Sequence, residues 1–208
     1  MMTGTTFERV YQALKVRLRN GGFAPGERLE PALLSGDLNA SVTPVRDALH
    51  RLVGERLIEA PKHDGFRVPL LTEIGLRHLY GWNMDLLLLA LRSARPIPGP
   101  GLEWANDEAD DAHELAAATE AIFAEIGRRS ANPEHAAAIV NANDRLHRLR
   151  LMEPSLLENV AGEIEVLLGL LSEANRDPLR RAIVAYHRRR NRAAPHLLES
   201  FQISEIHS

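Results

Sequence analysis

The chain has 208 residues, of which 45% are hydrophobic and 25% charged, and its formal net charge is −3. This composition is that of a folded globular protein, and the length allows two modest domains. The sequence contains no cysteine, which excludes disulfides, thiolate zinc sites and cysteine nucleophiles. Since no run is apolar enough to span a membrane and the N-terminus lacks a signal-peptide pattern, we expect a cytoplasmic protein.

Charge is unevenly distributed along the chain. Residues 1–70 carry 10 lysines and arginines against 8 acidic residues, whereas the remaining residues carry 15 against 20. The first part is therefore slightly basic and the second acidic. This asymmetry permits nucleic-acid binding by the first part, but it is too small to argue for it.

The first two predicted elements are helices. Apolar residues recur at helical spacing from Phe7 to Leu18, which predicts a helix over residues 5–20. A turn at Pro25-Gly26 follows, and Pro31 is well placed to open a short second helix that ends near residue 38.

A third helix is predicted to begin after Ser41, whose hydroxyl is a suitable N-cap. Val45 and Leu49 then lie on one apolar face, while Arg46 and His50 point elsewhere.

Two short apolar segments, 57–60 and 66–69, follow this helix and flank an Asp-Gly turn at residues 64–65. This pattern is typical of a β-hairpin. Three helices and a hairpin within residues 1–70 form the outline of a winged helix-turn-helix.

After residue 70 the strand signals disappear. Helices are predicted over 73–95, 106–129, 133–152, 155–174, 176–193 and 195–206, separated by turn and proline signals that include Pro96–Pro100 and Pro195. Short connections between six helices favour a compact bundle. We therefore predict a mainly α protein, with a winged helix-turn-helix over 1–70 and an all-α six-helix bundle over 71–208.

Two stretches of the second part have more than one interpretation. The apolar run 86–91 is suited to a buried core, with a dimer interface as the second use. The arginines at 188–190, together with Arg192, form either a solvated helix face or a site for phosphate or carboxylate.

Between Tyr11 and Val68, three motifs occur in order. They read Gly-Phe-Ala-Pro-Gly-Glu-Arg-Leu at 22–29, Ser-Val-Thr-Pro-Val-Arg-Asp-Ala-Leu at 41–49 and Gly-Phe-Arg-Val at 65–68. Together they resemble the winged helix-turn-helix of the GntR family of regulators, and the resemblance covers almost all of the first predicted domain.

The resemblance implies that the third helix enters the major groove of DNA by its N-terminal residues. Arg46 is suited to a bidentate contact with a guanine edge, and the wing to phosphate or minor-groove contacts. The alternative is that Arg46 and Arg51 are solvated surface charges. Val42 stands where the family usually has arginine. The implied DNA-binding residues are Ser41, Thr43, Arg46, Arg51, Lys62, His63, Gly65 and Arg67.

A winged domain followed by six helices resembles the FadR-type branch of the GntR family, whose C-terminal domain, often called FCD, senses a small molecule and frequently holds a metal. The matching ligand positions are Asn143, His147, His187 and His207, with Asn143 where the family has aspartate. The resemblance implies a zinc or nickel ion at which an effector such as a carboxylate docks. The alternative is that His147 and His187 are hydrogen-bonded interior residues lining a pocket.

These observations lead us to expect a homodimeric repressor that binds pseudo-palindromic operator DNA and responds to a small-molecule effector. An enzyme built on the helical domain is the second class, but the sequence has no nucleophile motif, phosphate loop or His-Glu-x-x-His pair. The third class, suggested by Val42, is a helical metal- or ligand-binding interaction protein with weakened DNA affinity.

Overall fold

A computed structural model describes residues 5–62, 64–94, 111–173 and 176–206, with side chains up to residue 202. The predicted site residues His63 and His207, the predicted break at 96–100 and the predicted helical residues 95, 106–110 and 174 lie outside these ranges. The chain divides into two compact units, Met1–Leu71 and Thr72–Ser208. The prediction of a mainly α protein with an N-terminal helix-turn-helix is confirmed.

Within its described residues, the first unit contains three helices and two short strands. They are α1 (Thr6–Arg19), β1 (Arg28–Leu29), α2 (Pro31–Asp37), α3 (Val42–Gly54) and β2 (Phe66–Arg67). Helix α1 begins at Thr6 because the Thr5 hydroxyl accepts a hydrogen bond from the Glu8 amide. The core forms from the apolar faces of α1 and α3 together with buried residues of the strands, among them Val10, Leu14, Leu29, Val45, Leu49 and Phe66.

The wing is the part of the first unit that contains segments 57–60 and 66–69, and it differs from the hairpin predicted there. The segments 57–60 and 66–69 meet in a single antiparallel bridge, in which the backbones of Glu59 and Arg67 exchange both hydrogen bonds. The two-stranded sheet forms instead between β1 and β2, with Leu29 opposite Phe66. Both of these side chains are buried, so the pairing is fixed by the core and not by the Asp-Gly turn.

The described residues of the second unit form helices joined by short turns, with one isolated antiparallel bridge between Ala94 and Ser130. Its helices are α4 (Glu73–Arg92), α5 (Ala112–Arg129), α6 (Pro133–Arg150), α7 (Glu153–Leu156), α8 (Val160–Ser172) and α9 (Arg176–Ile206). Within the apolar run at 86–91, Leu86, Leu87, Ala90 and Leu91 are buried, which agrees with the core interpretation. Among the described residues, none of the helices combines the length and hydropathy that a membrane crossing requires.

The predicted break at Pro195 is wrong, because α9 continues through this residue to Ile206. Proline has no N–H and leaves the carbonyl four residues earlier, that of Asn191, without its helical donor. Arg77 on α4 supplies the missing hydrogen bond, with its Nη1 2.6 Å from the Asn191 carbonyl oxygen. A contact between helices far apart in sequence thus allows the helix to accommodate the proline.

Candidate functional site

The first turn of α3 carries exposed polar groups. Ser41 occupies the N-cap position, as predicted, but its hydroxyl makes no capping hydrogen bond. The physical reason is that the N3 residue is Pro44, which has no N–H to donate. Ser41 and Thr43 are exposed. Their hydroxyls and the uncapped N–H groups of this turn therefore suit an acceptor such as phosphate.

A cleft of about 360 Å³ lies between α3 and the wing. Its lining includes Arg28, Val42, Arg46, His50, Gly65 and Phe66. The His50 ring packs edge-on against Phe66, with ring centroids 4.9 Å apart. Gly65 adopts a φ of 71°, a left-handed conformation that glycine reaches without strain. The cleft thus joins the first three turns of α3 to the glycine of the wing.

The predicted DNA-binding cations fall into two groups. Arg46 and Lys62 are exposed and make no ion pair or hydrogen bond within the described residues. Arg51, in contrast, contacts the carboxylates of Glu8 and Glu55, each at 3.4 Å, and its guanidinium lies 3.9 Å from the centre of the Tyr11 ring. Arg51 is therefore directed toward α1, away from the cleft that Arg46 lines.

Arg67 on the wing is also neutralised within its own segment. Its guanidinium is 3.3 Å from Glu59 Oε2 and 3.6 Å from Asp64 Oδ2. The carboxylates offset its charge, so it attracts an anion less strongly than an unpaired arginine does.

Sequence reasoning missed two residues of the cleft, Arg28 and His50. His50 follows Arg46 by four positions, and this helical spacing could have placed both on one exposed face. No comparable signal marks Arg28, because a two-residue strand has no periodicity to read. Its position follows from the pairing of β1 with β2, which places Arg28 opposite Arg67.

The second unit contains a buried polar core that includes three of the four predicted metal ligands. Asn143 donates through Nδ2 to the Glu120 carbonyl at 3.2 Å, and its Oδ1 accepts a hydrogen bond of 3.1 Å from Arg150 Nη1. The Nδ1 atom of His147 is 2.8 Å from Glu120 Oε1. Asn143 and His147 thus share Glu120 as a partner.

His187 is fully buried and is held at both ring nitrogens. Nδ1 donates to the Ile183 carbonyl at 2.8 Å, and Nε2 lies 2.9 Å from the Asn83 side-chain amide. Burial, together with the nearby charges of Arg150 and Arg190, lowers the pKa of His187 to about 3. The ring is therefore neutral, and Nε2 pairs with Asn83 when the amide presents its Nδ2.

Asn143, His147 and His187 do not fit a divalent metal ion. The oxygen that Asn143 would offer already accepts from the Arg150 guanidinium, and a second cation there would be repelled by several kcal/mol, on the order of Coulomb's law at an effective dielectric of about 20. Among the described residues, no three His, Cys, Asp or Glu side chains converge as metal ligands. A zinc or nickel ion stays a prediction that these residues do not support.

One member of the arginine cluster at 188–190 is structural. Arg190 is buried, with its guanidinium nitrogens 2.9 Å from Glu153 Oε2 and 2.6 Å from Glu163 Oε2. Burial alone would lower the pKa of Arg190, but Tyr186 and the two carboxylates raise it above its ordinary value. This residue holds α9 against α7 and α8 and is not a solvated charge.

Residues 6–68 match the sequence model described as "Bacterial regulatory proteins, gntR family". The chain is 36% identical over 107 residues to the HTH-type transcriptional repressor GlaR of Escherichia coli, a match covering 50% of this chain and 47% of GlaR. It is 28% identical over 139 residues to the HTH-type transcriptional regulator YdhC of Bacillus subtilis, covering 67% and 56%. The matches thus span about half the length of these relatives.

Solved structures share the fold across most of the chain. E. coli McbR/YncC superposes with a TM-score of 0.62 at 21% identity, over 93% of this chain and 99% of that protein. A transcriptional regulator from Rhodococcus sp. RHA1 gives a TM-score of 0.69 at 16% identity, over 91% and 97%. At these identities the likeness concerns the fold alone.

Proposed function

We propose that the protein is a sequence-specific transcriptional regulator that binds operator DNA, because residues 6–68 match the gntR-family sequence model. The observation that carries this proposal is Arg46, an exposed arginine in the first two turns of α3 that no described acidic side chain neutralises. A groove-reading helix needs such a side chain, since arginine pairs bidentately with guanine O6 and N7.

The remaining contacts follow the chemistry of each group. Ser41 and Thr43 supply hydroxyls at the uncapped start of α3, where phosphate oxygens bind well. Lys62 and Gly65 form the part of the wing that approaches the DNA backbone. Arg51 and Arg67 contribute less in this scheme because carboxylates already hold them.

We assign the protein a homodimeric assembly and a repressor role. A twofold dimer matches a pseudo-palindromic operator, and GlaR, one of the matching relatives, is named a repressor. Trp82 and Leu89 support a helical interface, because they lie two turns apart on α4 and are 48% and 44% exposed. Sedimentation equilibrium tests the assembly, and a monomer at all concentrations would reject it.

The helical unit is the proposed effector-sensing domain, of the FCD type. The Nε and Nη2 atoms of Arg150 are buried and make no hydrogen bond of good geometry within the described residues, although Tyr186 lies close enough for the Arg150 guanidinium to influence the pKa of its hydroxyl. Unpaired buried donors destabilise a fold unless a polar partner completes them. Nε and Nη2 form one edge of the guanidinium, which matches the two oxygens of a carboxylate effector.

Binding to DNA from upstream of the protein's own gene tests the regulator proposal. Fluorescence anisotropy with labelled upstream and scrambled duplexes should show tighter binding to the upstream duplex, with affinity falling steeply as salt increases. Equal affinity for the two duplexes at moderate salt would reject sequence-specific recognition.

A second candidate function is a helical ligand-binding protein with weakened DNA affinity. Val42 favours it, because this residue is 38% exposed at the first position of α3, where the family pattern has arginine. The same anisotropy experiment separates the two candidates, since this protein would show no salt-dependent preference for any duplex.

A further inference from the structure

Arg28 lies across the cleft from α3. Residues alternate between the two sides of β1, so Leu29 enters the core while Arg28 is exposed and lines the cleft. A methyl group built on Gly65 would lie 3.7 Å from Arg28 Nη2. The guanidinium therefore packs alongside the backbone of the wing glycine.

The two arginines that line this cleft have no anionic partner. Neither Arg28 nor Arg46 makes an ion pair or hydrogen bond to another described side chain. Glu30 also lines the cleft, but no described contact joins it to either arginine. The other arginine of the sheet, Arg67, is paired with Glu59 and Asp64. Two unpaired cations thus share one cleft beside the uncapped start of α3.

We propose that this cleft holds one phosphate of the DNA backbone, bound by Arg28 from β1 and by the uncapped first turn of α3. This inference rests on the proposed function, because the phosphate belongs to the duplex that α3 reads. Arg28 contacts no base edge in this arrangement. It is a positioning residue that sets how α3 enters the groove, while Arg46 selects the sequence.

Salt dependence of DNA binding provides the test. Losing a phosphate contact weakens binding to upstream and scrambled duplexes alike and reduces the slope of log K against log salt by about 1. We expect the weaker binding and the smaller salt slope for Arg28→Gln. Arg56→Gln, a matched control at an exposed arginine outside the cleft, should show neither change. Arg28→Lys should retain the slope, and equal thermal melting of all variants establishes that they fold.

The outcomes separate the inference from the proposed function. If wild type binds the upstream duplex specifically but Arg28→Gln matches Arg56→Gln in slope and affinity, the phosphate contact is rejected and the regulator stands. If wild type does not bind DNA, both are rejected. Inorganic phosphate at matched ionic strength is a further arm. One combination of results would overturn the contact with the DNA backbone. In it, phosphate raises the melting temperature of wild type, but Arg28→Gln leaves the salt slope of DNA binding unchanged, which would identify a site for a free anion.

Discussion

The guanidinium of Arg77 on α4 donates a 2.6 Å hydrogen bond to the backbone carbonyl of Asn191 on α9. Pro195, four residues beyond Asn191, cannot supply that donor. The ion pair of Arg77 with Glu73, at 2.9 Å, orients the same guanidinium. This single contact explains how a helix of 31 residues contains a proline in its interior.

Replacing Arg77 with methionine should destabilise the helical unit by about 1–3 kcal/mol, because a carbonyl is left without a partner. Urea unfolding measures the change, with Arg92→Met on the same helix as the control. Pro195→Ala restores an N–H to α9, so the loss caused by Arg77→Met should shrink in that background. An undiminished loss in the double variant would show that Arg77 acts in another way.

Arg46 and Arg51 should differ in their effect on DNA binding. We expect Arg46→Ala to weaken binding to the upstream duplex by about 1–3 kcal/mol and to reduce its preference over scrambled DNA. Arg51→Ala should have a much smaller effect, because this side chain is held by Glu8, Glu55 and Tyr11. Anisotropy titrations provide both values. A larger loss for Arg51→Ala would contradict the orientation of α3 proposed above.

Acid should destabilise the helical unit through His187. Its folded-state pKa of about 3 lies below the value of 6.5 expected when unfolded, so the unfolded state binds the proton first as the pH falls. The contribution of neutral His187 to the free energy of unfolding is complete above about pH 6.5. About 2 kcal/mol of this contribution is lost when the pH falls to about 5.

His187→Gln isolates this contribution of the histidine. We expect the variant to be less stable than wild type near neutral pH but to lose less of its free energy of unfolding between about pH 7 and about pH 5. Urea unfolding with EDTA present gives both curves and excludes metal ions from the comparison. Parallel losses in the two proteins would show that His187 is accessible to protons in the folded state.

Metal ions should leave the stability of the protein unchanged. Because Arg150 occupies the position beside Asn143 that a metal would need, we expect neither EDTA nor added zinc or nickel to shift the melting temperature. A bound ion at about 100 times its dissociation constant would add about 2.7 kcal/mol. A shift that disappears in both His147→Ala and His187→Ala would instead establish the metal site predicted from the sequence.

The sequence by itself determined α1, the start of α3 and the exposed polar character of the first turns of α3. Helical spacing from Phe7 to Leu18 predicted α1 to within one residue at each end. Ser41 correctly marked the start of α3, and Arg46 was correctly expected outside the core. These features depend on neighbours within one or two helical turns, and the local amino-acid sequence contains that information directly.

Only the tertiary structure decided which polar groups are already occupied. Arg51 and Arg46 look alike in sequence, yet one is neutralised from α1 and the other is not. Arg28 enters the cleft because β1 pairs with β2, which places Arg28 opposite Arg67, 39 positions further along the chain. Asn143 meets Arg150 and Pro195 is accommodated by Arg77. Each depends on packing between distant segments, where a local pattern has no means of specifying the partner.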